Sequence, residues 1–235
     1  MRSTLLIFAL FLASASSRAE LALHSDAWRL DFDQDGIRIY TKAQPDSVYH
    51  AFKAETILNV PLRHVMAVMA QPGSCVEWVH GCIESWGLRE ENFNKRYAYS
   101  VNDLPWPVRD RDYVLEINTS NDPAQNTIMM DMYAVTDELP PKEGLIRVTR
   151  QETHYIFKPL GDDQTHMIWL QHTDPSGALP SWLVNALIVD IPFKSMKALE
   201  KVARLEKYTD SEIVFDESGA ITGVRRLSPA VSSQP

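Results

Sequence analysis

Cysteine, basic charge and long apolar runs are all scarce in this chain, and each scarcity excludes something. Only Cys75 and Cys82 are present, too few to complete a structural zinc site by themselves. Lys and Arg number 23 against 31 Asp and Glu. An acidic chain repels nucleic acid, and no polybasic segment is present to dock on an anionic membrane. Nowhere does the sequence approach the roughly 18 consecutive apolar residues of a membrane-spanning helix. Gly-x-Ser-x-Gly, His-Glu-x-x-His, a Gly-rich phosphate loop and the dinucleotide-binding fingerprint are all missing. The sequence therefore specifies no catalytic residue, no metal and no cofactor, and it sets no oligomeric state.

The N-terminus has a different composition. Met1-Arg2 is positive, Leu5 to Leu12 is apolar, and Ser17-Arg18-Ala19 ends in a small-x-small pattern. This predicts a secretory signal peptide over residues 1–19, cleaved after Ala19, and a periplasmic or secreted location. The alternative is a short N-terminal anchor. Removing residues 1–19 takes Arg2 and Arg18 and no acid, which leaves a net charge of about −10. In an exported chain, two cysteines seven positions apart read as a local disulfide, with free thiols or a metal pair as the alternatives.

Hydrophobic periodicity orders the rest. Ser25 to Trp28 can start a short helix. Residues 36–58 read as a β-hairpin and residues 62–70 as a helix on the spacing of Leu62, Val65, Met66 and Met69. Strands are predicted at 83–90, 95–102, 111–119, 126–137, 145–158 and 165–173, separated by Asn, Asp, Gly and Pro clusters. One long helix follows from about 180 to 208, with a kink from Pro192 near Asp190. Its first half, Trp182 to Ile191, has only Asn185 and Asp190 as polar residues, so it is expected to be buried on nearly all sides. The domain spans 24–208. The tail, 209–235, offers a hairpin around Glu217-Ser218-Gly219 and then a disordered end.

This order predicts an α+β fold, a curved antiparallel sheet gripping a C-terminal helix. Sheets of that size curl. Where the sheet and an apolar helix do not meet, a cavity suited to a hydrophobic molecule remains. The stretch Asn102 to Val114 places Arg109, Asp110, Arg111 and Asp112 between Trp106 and a strand. These charges form either a solvated turn or an inward arginine, which then requires a buried carboxylate.

Trp28, Asp35-Gly36-Ile37-Arg38-Ile39-Tyr40, Trp78, Arg111-Asp112-Tyr113-Val114 and Pro175-x-Gly177-x-x-Pro180 leading into Trp182 and Asn185 together resemble the START (steroidogenic acute regulatory-related lipid transfer) domain in its bacterial exported form. The resemblance covers about residues 24–206. It implies a helix-grip fold with a tunnel for one lipid-sized ligand. It also implies an inward Arg111 paired with Glu84 to orient a ligand hydroxyl, carbonyl or phosphate, while Arg109 and Asp110 hold the turn.

Further candidate ligand contacts are Trp78, Tyr97, Trp169 and Leu187. Met130 and Met132 offer either ordinary packing or a soft, adaptable lining. His154 and His172 lie in late strands. Trp182 and Asn185 lie at the start of the last helix, where Asn185 needs a polar partner. The functional expectation is a lipid carrier whose partner is a hydrophobic small molecule, compatible with transient membrane contact. The alternatives are a helix-grip cyclase or dehydratase, with His154 or His172 beside Glu84 as its titratable pair, and a ligand-sensing interaction module. The segment Gly177 to Trp182 is expected to move as a gate.

Overall fold

The computed structural model describes residue 23 and residues 25–177 and 179–227, without the side chains of Ser181, Trp182 and Asn185. The expected signal peptide and the end of the tail beyond residue 227 lie outside the described residues.

Strand β1 (Arg29–Gln34) has no counterpart among the predicted elements. It is a sheet edge with mostly exposed side chains, so little apolar alternation marks it. Asp35 and Gly36, with φ of 53° and 76°, close it onto β2 (Ile37–Gln44). Two left-handed residues make the tight turn whose twist suits a hairpin. From β1, Phe32 packs inward against Phe193, with ring centroids 4.9 Å apart.

The chain continues through β3 (Ser47–Leu58), α1 (Leu62–Ala70) and the single turn α2 (Cys75–Trp78). A Cys75–Cys82 disulfide, with Cα atoms 6.0 Å apart, ties α2 to β4 (Cys82–Asn92). Next come β5 (Lys95–Asn102), β6 (Arg111–Asp122), β7 (Thr127–Ala134), β8 (Ile146–Arg147), β9 (Arg150–Leu160) and β10 (Gln164–Asp174). The sheet order is β1-β2-β3-β10-β9-β7-β6-β5-β4, and β8 pairs with β6 off this path. Neighbours on the path are antiparallel. The strands expected at 126–137 and 145–158 are cut short at the ends that face each other. Between β7 and β9 the chain loops out and returns along β6, held by an ion pair of Arg147 with Asp112 at 2.7 Å. Their side chains are 6% and 0% exposed.

Helix α3 (Ser181–Val202) packs on β2, β3 and α2 and runs through Pro192 as one helix. The expected single helix to 208 instead breaks after α3, and α4 (Glu206–Thr209) comes next. Met196, Leu199 and Val202 of α3 are buried with Met66, Phe157 and Met167 in one core. The tail hairpin, β11 (Ser211–Phe215) with β12 (Ile221–Arg226), sits on α1 and delivers Ile221 to the same core. Asn121 pins its turn, donating to Gly219 O at 2.9 Å and accepting from Ile221 N at 2.8 Å.

The first half of α3 corrects the expectation of all-round burial. Ala186 and Asp190 are exposed, Leu183, Val184, Leu187, Val189 and Ile191 are half-buried, and Ile188 is buried. Val184, Leu187, Ile188 and Ile191 face open space, while Ile188, Val189 and Ile191 pack against the core.

Candidate functional site

That open space is a cavity of about 700 Å³ between the concave face of the sheet and α3. It falls in the range of small-molecule sites. Strand parity decides what lines it, because alternate side chains of a strand point to opposite faces. From β10 these are Trp169, Gln171 and Thr173, and from β9 they are Gln151, Thr153 and Tyr155. Strand β7 contributes Met130 and Met132, and β6 contributes Arg111, Tyr113, Leu115 and Ile117. Val184, Leu187, Ile188 and Ile191 close it from α3.

An aromatic cluster forms one wall. Trp169 lies 5.1 Å from Tyr155, 5.3 Å from Phe52 and 5.9 Å from Trp78, ring centre to ring centre. Tilted and edge-on contacts of this kind fix large rings in place. Burial pushes the phenols of Tyr155 and Tyr113 upward, Tyr113 to about 12, so both stay neutral at physiological pH.

The end nearest the 103–110 and 175–180 loops is polar. Gln151 Nε2 donates to Thr153 Oγ1 at 3.1 Å and Thr153 Oγ1 to Gln171 Oε1 at 3.2 Å. Gln171 Nε2 donates to Thr173 Oγ1 at 3.0 Å, and Trp169 Nε1 to Gln171 Oε1 at 3.1 Å. Arg111 stands at this end, 2% exposed. Its Nε donates to Pro175 O at 2.9 Å, its Nη2 to Ser176 O at 2.9 Å, and its Nη1 to Arg109 O. Burial works against its charge.

The expected partner of Arg111 is elsewhere. Glu84 is 44% exposed on the outer side of the sheet. It accepts from Lys142 Nζ at 3.1 Å and Trp86 Nε1 at 3.3 Å, and Lys142 is the first cause of its lowered pKa. The reason is a register shift between Cys82 and Glu84. One extra residue in a strand reverses the facing of the residues after it, so Ser85, not Glu84, lines the cavity. The buried carboxylate in this region is Asp112, next in sequence to Arg111, and it points through the other face of β6 to Arg147.

His154 and His172 are corrected in the same way. Each alternates with cavity residues and faces outward. His154 sits between Asp131, at 2.7 Å from Nδ1, and Glu152, at 2.8 Å from Nε2. Burial opposes its charge, but the two carboxylates outweigh burial and hold its pKa up at about 9. Burial lowers the pKa of His172. Tyr97 lies at the rim, where its hydroxyl donates to Glu116 at 3.0 Å. Trp78, Met130, Met132, Trp169 and Leu187 are all brought together on the cavity. The side chains of Trp182 and Asn185 lie outside the described residues. Gln151, Thr153, Gln171 and Thr173 were not among the residues expected from the sequence. Counting by twos from Trp169 along β10, and across the ladder to β9, finds all four.

Among the described residues no cluster of His, Cys, Asp and Glu is arranged to hold a metal ion. No helix among them is long and apolar enough to cross a membrane.

Comparison with known proteins agrees with this geometry. An uncharacterized protein of Pseudomonas aeruginosa is 31% identical over 204 residues, covering 86% of this chain and 96% of the relative. Rat phosphatidylcholine transfer protein is 24% identical over 169 residues, covering 70% of this chain and 78% of the relative. The crystal structure of a STAR-related lipid transfer protein fragment from Xanthomonas axonopodis superposes with a TM-score of 0.70 at 29% identity, covering 77% of this chain and 100% of that one. The family model of the START domain matches residues 13–211. With a curved sheet closed on a C-terminal helix, a largely apolar cavity between them and this match over most of its length, the chain belongs to the START domain family.

Proposed function

We propose that this protein carries one lipid-sized ligand in its cavity, as a carrier or transfer protein working in the periplasm or outside the cell. The observation that carries this reading is the cavity of about 700 Å³, walled by aromatics, methionines and half of α3, with a polar end under two loops. Relatives named for lipid transfer and for phosphatidylcholine transfer support it. Export rests on the pattern of residues 1–19. A helix-grip enzyme needs a titratable pair at the ligand. His154, His172 and Glu84, the candidates for that pair, point away from the cavity, which weighs for the carrier.

Ligand entry belongs to the polar end. Leu104 and Pro105 line the cavity there, and the neighbouring Trp106 is 92% exposed. An exposed indole beside the opening suits brief contact with a membrane interface. Across the opening, Ser176 and Gly177 both take left-handed backbone, φ 56° and 73°, just before α3. The gate is the segment from Gly177 to the first turn of α3.

Native mass spectrometry of protein recovered from its exported compartment, with N-terminal sequencing and organic extraction, tests the reading. One bound lipid per chain and an N-terminus at Glu20 are the expected results. An empty protein that also refuses a panel of lipids would overturn the carrier reading.

A further inference from the structure

Four side chains on the cavity wall form a hydrogen-bonded strip that carries no charge. On the β9–β10 ladder Thr153 stands opposite Gln171 and Gln151 opposite Thr173, and all four line the cavity. Apolar neighbours bound the strip, with Met132 opposite Thr153 on β7 and Phe52 opposite Gln171 on β3. Thr153 is 1% exposed, and Trp169, which donates into the strip, is 2% exposed.

Trp169 fixes the direction of every bond in it. An indole N–H can only donate, so the atom of Gln171 that faces it at 3.1 Å is the oxygen. A carbonyl oxygen only accepts, so Thr153 Oγ1, at 3.2 Å, donates its proton to the same atom. Thr153 then has no proton left for Gln151, and the Gln151 amide meets it with nitrogen at 3.1 Å. At the other end Gln171 Nε2 donates to Thr173 Oγ1 at 3.0 Å. Three protons remain: the second N–H of Gln151, the second N–H of Gln171 and the Thr173 hydroxyl. None has a partner among the described residues, and the one strip oxygen without a partner is Gln151 Oε1. The strip is short of acceptors. His50, also on the cavity, brings at least one donor in either protonation state and does not relieve the shortage. Arg111, at the same end, is already bound through each of its three nitrogens to a backbone carbonyl. Closing a purely apolar ligand over open donors leaves them unpaired, which is costly.

Resting on the carrier reading, we propose that this strip is a subsite for an uncharged acceptor oxygen, a ketone or ester carbonyl, and that the cavity selects neutral lipids that carry one over hydrocarbon chains of the same length. The carbonyl oxygen takes open donors of the strip on its two lone pairs. No covalent step is involved.

The test titrates methyl pentadecyl ketone and heptadecane, both delivered from cyclodextrin, into wild type and into Gln151→Met/Thr153→Val/Gln171→Met/Thr173→Val. The cost of taking the ketone out of water is the same for both proteins and cancels in the ratio. Relative to the alkane, the ketone should lose about 5- to 150-fold in affinity in the variant, the worth of two neutral hydrogen bonds. Replacing hydrogen-bonded partners together by apolar groups of similar shape is nearly neutral for folding. A second arm needs no variant. The infrared stretch of the ketone, isotope-labelled at its carbonyl, should lie lower in the wild-type complex than in hexadecane. A ketone-to-alkane ratio equal in the two proteins, or a bound stretch that matches hexadecane, would overturn the proposal and leave the carrier reading intact. A protein that takes up neither compound overturns the proposal, and one that also refuses the lipid panel overturns the carrier reading with it.

Discussion

Ala98 offers a direct probe of whether the cavity holds an acyl chain. It lies on β5 opposite Leu115, and both line the cavity. Replacing it with Phe extends an aromatic ring into open space. In wild type, each methylene buried contributes about 0.8 kcal/mol, or about fourfold in Kd, until the cavity is full. A ring that displaces the volume of two or three methylenes should cost long chains about 1.6–2.4 kcal/mol, about 15- to 60-fold in Kd. Short chains that never reach Ala98 should bind as before. Calorimetric titration with saturated fatty acids of increasing length, on wild type and Ala98→Phe, reads both slopes. Thermal melts run alongside should show no loss of stability, because the ring enters space rather than a packed core. A flat dependence on chain length in wild type would refute the reasoning. A melting temperature lowered as overpacking lowers it would do the same, since it would mean the space is already filled.

Three further outcomes rest on contacts outside the cavity. Arg147→Met leaves Asp112 buried without its partner, so it should cost about 3–5 kcal/mol in denaturant unfolding. The double change Asp112→Leu/Arg147→Met should regain most of that, and a single-variant loss under about 1 kcal/mol would contradict the buried pair. For His154 the folded pKa of about 9 lies above the unfolded value near 6.5. Its contribution is therefore complete below about pH 6.5 and fades as pH rises through about 9, worth about 1–3 kcal/mol across that window. His154→Gln should narrow the gap to wild type over the same window, whereas a gap of constant size would exclude the assignment. Cys75→Ser should lower stability by about 2–3 kcal/mol from chain closure, and a denaturation midpoint in wild type that reductant leaves unmoved would argue against the bond.

The elements that bury an apolar face in a regular period were legible in the sequence. The spacing of Val65 and Met66 sets α1, and the period of Met196, Leu199 and Val202 sets the buried half of α3. Strand β1 escaped because an exposed edge strand needs no apolar alternation, although Asp35-Gly36 already marked a hairpin turn. Trp78, Met130, Trp169 and Leu187 were legible as cavity residues because large apolar groups on the inner face have few other places to go. Ala186, exposed to solvent, and Leu187, half-buried on the cavity, show where composition misleads, since an apolar helix segment looks the same in sequence whether it faces a packed core, a cavity or water.

Period, turn chemistry and charge pattern were enough for the α+β class and for the order of most strands and helices. These are local properties, and each acts over a few residues. The partner that Arg111 meets was settled at a longer range. A one-residue register shift at the start of β4 sends Glu84 outward to Lys142, strand parity sends Asp112 through the sheet to Arg147, and Arg111 is left beneath the carbonyls of the turn that leads into α3. Facing and register depend on how strands align with distant neighbours, and that information is held in no single stretch of the chain.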